Sequence, residues 1–225
     1  LMHRAEQLDN LYIFKNTEGT PENIRKFHPN IIVSSTGSAP LLPPIAGLKD
    51  RIDNEKHNIY SILGMISHIN DFPKDLEGKK VVVVGGGAVG LDVVEFFADR
   101  NADISIVEMM DQIGRDLDPV SKNDTKTMMK KHNVHQLTKT ALLEVKDSSF
   151  LVRGDGEPYE LPFEYGFVCL GMRAQGQLYQ NLTEEFSSED VEIMNIGDSQ
   201  RARRIIDGTQ EGRNILTILE QKGYL

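Results

Sequence analysis

The chain has 225 residues, with 25 Lys and Arg against 34 Asp and Glu, a formal charge of −9, one cysteine and no tryptophan. At 39 % hydrophobic and 26 % charged it has a globular composition, which excludes collagenous, disordered and disulfide-built proteins. The single Cys169 cannot form an internal disulfide, and this chain alone cannot supply a four-cysteine zinc or iron–sulfur site. The acidic balance (pI near 5.2) argues against a nucleic-acid partner, and no apolar run is long enough to span a bilayer. The opening LMHRAEQLDN has no apolar leader core, so the expected compartment is the cytoplasm.

In chain order, Leu11 to Lys15 (LYIFK) reads as a short strand. Thr20-Pro21-Glu22 reads as a helix start, with a capping hydroxyl, proline at the first position and an early acid, predicting a helix over 21–27. Residues 30–34 (NIIVS) are a second apolar strand, and Pro40, Pro43, Pro44 and Pro73 mark breaks. The strongest strand is KKVVVV over 79–84. Its consecutive valines make both faces apolar, as a central parallel strand covered by helices on two sides requires. A helix over 88–100 follows, then the strand DISIV over 103–107 and a helix over 119–131. Short strands joined by turns occupy 134–162, with Gly154-Asp155-Gly156 as the clearest turn. Strands over 165–170 and 191–196 precede a last helix over 203–221, whose apolar side is Ile205, Ile206, Ile215, Leu216 and Leu219. Strands alternating with helices give an α/β fold.

The chemistry is concentrated in Gly85-Gly86-Gly87-Ala88-Val89-Gly90, a G-x-G-x-x-G between a predicted strand and a predicted helix. Gly85 serves the tight turn, Gly87 the approach of backbone to a pyrophosphate, and Gly90 the close packing of helix on strand. The amides of Ala88 and Val89 open the helix, where its dipole favours phosphate. Glu108 ends the second strand roughly 20 residues beyond Gly85, where a carboxylate accepts both ribose hydroxyls and repels a 2′-phosphate. Met109 and Met110 follow, with no arginine beside them for that phosphate, so NADH is expected over NADPH. At Gly197-Asp198 a carboxylate at a strand end can accept from a polyol while helix amides serve a phosphate; simple capping of the last helix is the competing reading. Cys169 reads as a buried, inert thiol, and His132 and His135 as surface side chains with no metal.

These segments together resemble the two-dinucleotide-domain flavoprotein reductases of the pyridine nucleotide–disulfide reductase fold. Ser35-Thr36-Gly37-Ser38-Ala39-Pro40 resembles the family's A-T-G-x-x-P crossover, residues 85–90 its NAD loop, residues 134–162 its β-meander, Val168 to Gly171 its return strand, and Ser188 to Asp198 its late flavin motif. The segments NTEGTPENI, STGSAPLLPPIAGL, VEMMDQIGRDLD and GDSQRARRIIDGTQEG are most similar to the C-terminal portion of the enoate reductase and 2,4-dienoyl-CoA reductase group.

The resemblance implies a Rossmann-like NAD(P)-binding domain at 75–174, inserted in a partial FAD-binding domain at 1–74 and 175–225. It implies FAD contacts at Thr36, Gly37, Gly197 and Asp198, a nicotinamide contact at Gly171, and Asp92 hydrogen-bonded to the carboxamide where the family often has Glu. It also implies an N-terminal barrel carrying FMN and a 4Fe–4S cluster in a longer parent. The flavin domain's own glycine loop would lie before residue 1, so the FAD site is expected to be incomplete and the piece alone inactive. NADH would then pass hydride to FAD, and the parent would reduce an activated alkene, a 2-enoate or enoyl-CoA. An NADH oxidase or ferredoxin reductase on the same fold, and a non-enzymatic NAD-binding regulatory domain, stay open as alternatives, as does a homodimer.

Overall fold

A computed structural model of the chain describes residue 4 and residues 6–224. It divides into two compact units, one of residues 39–173 and one of residues 1–38 with 174–225. The larger unit is built on a five-stranded parallel sheet in the order β3-β10-β4-β5-β6. Its strands are β3 (Ile59–Tyr60), β4 (Lys80–Val84), β5 (Asp103–Val107), β6 (His135–Leu137) and β10 (Tyr165–Val168).

The centre of that sheet is β4, as the valine run requires. Val81 and Val83 pack into a core with Val93, Val94 and Phe97 of the helix Ala88–Ala98, while Val82 and Val84 face a second core with Phe150 and Val152. Full burial of each such side chain contributes on the order of 1.5–3 kcal/mol, so a polar residue anywhere in the run would be costly. The second face is covered by an antiparallel meander of β7 (Ala141–Val145), β8 (Ser149–Arg153) and β9 (Tyr159–Pro162), with the Gly-Asp-Gly turn between β8 and β9. The α/β class, the parallel sheet and the meander are as the sequence predicts.

In the smaller unit β1 (Ile31–Ser34) pairs in parallel with β12 (Glu192–Asn195). The helices α1 (Pro21–Arg25) and α6 (Gln177–Glu185) accompany them, and Ile32, Leu182 and Phe186 form the core. The Thr20 hydroxyl accepts from the Asn23 amide at 3.2 Å, so the predicted capping chemistry starts α1. Arg25 fastens that helix by pairing with Glu185 at 2.8 Å and with Glu189, its guanidinium 4.6 Å from the Phe186 ring centre. The remaining helices are α2 (Leu48–Arg51), α3 (Ile62–Ser67), α4 (Ala88–Ala98, introduced above), α5 (Pro119–Lys131) and α7 (Ile205–Gln221). The strands β2 (Ser38–Pro40) and β11 (Met172–Ala174) pair with each other.

Several expectations are corrected. LYIFK is not a strand: Leu11, Tyr12, Ile13 and Phe14 are all exposed, and no strand among the described residues pairs with them. The helix begun at Pro21 stops at Arg25 rather than Phe27. The unit boundary falls after residue 38, not after 74, because β3 joins the large sheet and Met65, Phe72 and Leu76 enter its core. In α7, which begins at Ile205 rather than Arg203, only Leu219 of the expected apolar side is buried. Ile205 (91 % exposed), Ile206 and Leu216 face outward. The strand over 165–170 ends at Val168.

Candidate functional site

Parallel strands β4, β5 and β6 run to one side of the first position and β10 and β3 to the other, so the carboxyl ends of β4 and β10 flank a topological switch point, where open α/β sheets bind ligands. The glycine loop sits there. Gly85 has φ +109°, and a Cβ on it would collide with the Cys169 carbonyl at the end of β10. A Cβ on Gly90 would collide in turn with the Gly85 carbonyl oxygen, so this glycine lets α4 lie against the turn. Gly87 differs from both. Its φ is an ordinary −79°, and a Cβ there would meet nothing within 4 Å. The fold does not demand that glycine; an incoming group over the loop would.

No side chain caps α4, which starts at Ala88 after Gly87, so its leading amides are left to an external acceptor. Glu108 stands at the end of β5, on the other side of the loop. Its Oε2 accepts from the Gly86 amide at 2.6 Å and its Oε1 from the Met110 amide at 2.7 Å. A carboxylate has about four lone-pair sites, so this pinned group can still accept from two hydroxyls. The segment after it is held as well: Thr140 donates to the Glu108 carbonyl at 2.9 Å, Lys139 to that of Met110 at 2.8 Å, and Gly114 to that of Gly86 at 2.7 Å. The donor set fits an adenine dinucleotide: amides at a helix start for a pyrophosphate, a fixed carboxylate for a ribose diol, and open space above Gly87.

Asp92 lies in the first turns of α4, and burial pushes its carboxyl above the usual range. Its charge, after the larger effect of burial, helps push the Cys169 thiol up to about 12, so that thiol is inert at neutral pH. Asp92 also lines a groove of about 360 Å³ with Ala88, Leu91, Glu95, Ser121 and Met128. Gly171 follows β10 with φ +104°, its carbonyl accepting from the Leu41 amide at 2.9 Å.

In the smaller unit, Asp198 accepts from the Ser38 hydroxyl at 3.2 Å and from the Arg203 amide at 3.1 Å. It therefore does not cap α7, whose N-cap residue is Arg204, its amide donating to the Asp207 carboxylate at 3.1 Å. The Gly197 amide donates to Glu211 at 2.6 Å, and Glu211 also pairs with Arg203. Thr36 donates its hydroxyl to the Gln175 carbonyl at 2.5 Å, and the Gly37 carbonyl accepts from the Gln175 amide at 2.9 Å. The spare lone pairs of Asp198 suit a polyol, as a ribityl chain presents, whereas the Gly197 amide is already engaged. Sequence reasoning missed Ser38 and Glu211. Ser38 was signalled by its place inside STGSAP; Glu211, on a helix beyond the motif, had no local signal. No cluster of His, Cys, Asp and Glu suited to a metal occurs among the described residues, and none of their helices is long and apolar enough to cross a membrane.

The arrangement is that of a nucleotide-binding oxidoreductase domain, and comparison with known proteins agrees. The family model for pyridine nucleotide-disulphide oxidoreductases matches residues 9–194, and the chain belongs to that family. It is similar to a metal reductase of Desulforamulus reducens (26 % identity over 88 % of this chain and 32 % of that protein) and to an NADH oxidase of Thermoanaerobacter brockii (26 % over 85 % and 28 %). The chain thus spans about a third or less of these relatives' length. A solved 2-naphthoyl-CoA reductase complex shares the fold at a TM-score of 0.75 and 21 % identity, over 94 % of this chain and 30 % of that one.

Proposed function

We propose that the chain is the NADH-binding, electron-input portion of a longer cytoplasmic flavoprotein oxidoreductase. The observation that carries this reading is the pairing of the open Gly87 position with the pinned Glu108 carboxylate across one loop. In it, the amides of Ala88 and Val89 and the bare backbone of Gly87 receive the pyrophosphate, with Gly85 and Gly90 shaping the turn. Glu108 accepts the adenosine ribose hydroxyls and repels a 2′-phosphate. Asp92 orients the carboxamide, and the bare backbone at Gly171 leaves room for the nicotinamide. Thr36, Gly37, Gly197 and Asp198 hold part of an FAD, Asp198 through the polyol. The dinucleotide and flavin supply the hydride chemistry when bound; the protein binds and orients them.

In this reading residues 39–173 are the NAD domain and the flanking segments part of an FAD domain. The full protein reduces an activated alkene, a 2-enoate or enoyl-CoA, on a barrel with FMN and a 4Fe–4S cluster; the resemblance and the fold shared with a 2-naphthoyl-CoA reductase support this. The one cysteine of these 225 residues, Cys169, is buried and unpaired, in keeping with a reducing compartment. A second reading, an NADH oxidase-type flavoprotein, is supported by the similarity to the T. brockii enzyme. Assaying the full-length protein with NADH, with and without an enoate or enoyl-CoA acceptor, separates them. Turnover that depends on the alkene supports the first, and dioxygen consumption unaffected by it supports the second. A full-length protein that oxidises NADH with neither acceptor contradicts both.

A further inference from the structure

We propose that Met109 and Met110 form an oxidisable rim on the dinucleotide site, whose conversion to sulfoxide weakens NADH binding. The inference rests on the reading of the loop at 85–90 as an NADH site. Among the described methionines these two alone are exposed: Met109 at 69 % and Met110 at 40 %, whereas Met65 and Met129 are buried and Met128, Met172 and Met194 half-buried. They are consecutive and directly follow Glu108.

Their backbone is rigid although their side chains face water. The Met110 amide donates to Glu108 and its carbonyl accepts from Lys139, so the backbone is fixed at Met110 while both side chains stand exposed. An apolar pair held outward on a fixed turn is suited to an apolar ligand surface. Where Glu108 holds the adenosine ribose, the attached base lies within reach of the residues that follow it, and a thioether is a good partner for an aromatic edge.

The same exposure opens the sulfur to oxidants. A hydroperoxide transfers one oxygen to the thioether: the sulfur gains an S=O bond and loses two electrons, the O–O bond breaks, and hydrogen peroxide leaves as water. The product is polar and chiral, and it replaces an apolar contact with a solvated dipole.

The test is a titration of the full 225-residue chain with NADH before and after limited hydrogen peroxide, the sulfoxides being mapped by peptide mass spectrometry. Oxidation at Met109 and Met110 is expected to weaken NADH binding by about threefold to tenfold, from the size of a sulfur–aromatic contact. Methionine sulfoxide reductase should restore it. Reduced nicotinamide mononucleotide, which lacks the adenosine, should bind with one affinity throughout. The affinity of the M109L/M110L chain, whatever its value, should not change on peroxide treatment. Unchanged NADH affinity with both sulfoxides present would overturn the proposal. So would absence of oxidation at these two positions, or equal loss in the M109L/M110L chain. Failure of the untreated chain to bind NADH would instead defeat the reading of the site itself.

Discussion

Replacing Gly87 by valine separates a ligand-binding glycine from a fold-forming one, because its two partners in the motif are constrained by the fold and it is not. A side chain at Gly87 projects into open space at φ −79°, so the folded chain tolerates it; the loss of a glycine helix cap costs at most about 1 kcal/mol. The same side chain occupies the volume through which a pyrophosphate reaches the first amides of α4. Losing two charge-assisted hydrogen bonds of about 1.5–3 kcal/mol each weakens NADH binding by at least 100-fold. Gly90→Ala behaves in the opposite way. Its Cβ would lie under 3.0 Å from the Gly85 carbonyl, so the turn must shift, costing about 1–3 kcal/mol and roughly 2–4 °C of Tm per kcal/mol. Quenching of intrinsic tyrosine fluorescence or isothermal titration reads the first effect, and thermal melting the second. A Gly87→Val chain that melts normally and binds NADH as tightly as the parent would refute the role given to the open position.

Glu108→Ala should narrow the preference for NADH over NADPH, measured by competitive titration; equal affinities in the unmutated chain would remove the reason for the carboxylate. The Cys169 thiol, pushed up to about 12 by burial, stays protonated when folded but ionises near 9 when unfolded. Folding therefore retains the proton, and stability falls as pH rises between those values by up to about 1.4 kcal/mol per unit, a slope that Cys169→Ala should reduce in urea melts at pH 8 to 11. Rapid labelling of the native chain by a thiol reagent at pH 7.5 would contradict that burial. Gly166→Ala should destabilise by about 1–3 kcal/mol, since its Cβ would lie 2.7 Å from the Phe150 ring and 2.8 Å from Phe163; an unchanged Tm would mean the meander gives way freely.

The parts of the fold that were legible in the sequence are those whose signal is local. KKVVVV declared a strand buried on both faces, the helix expected over 119–131 is α5 with the same span, and the helix expected over 88–100 is α4, which ends two residues earlier. What was missed depends on contacts distant in sequence. The strand Ile59–Tyr60 is too short to show alternation and exists because β10 pairs with it. Residues 39–74 belong with the large sheet because Phe72 packs among Tyr60, Phe97 and Phe167, which no periodicity announces. LYIFK and the outer side of α7 read as buried from composition alone, yet burial requires a partner surface, and Tyr12 and Ile205 have none among the described residues. At the site, the glycine spacing was legible but the pinning of Glu108 by two amides was not, since it arises from the return of β5 beside the loop.

The most direct measurement of the central claim is a crystal structure of this chain grown with NADH. The account predicts the pyrophosphate over Gly87 against the first amides of α4, with both adenosine ribose hydroxyls on the Glu108 carboxylate. A dinucleotide bound elsewhere on the chain, or density showing the loop bare at saturating NADH, would contradict it.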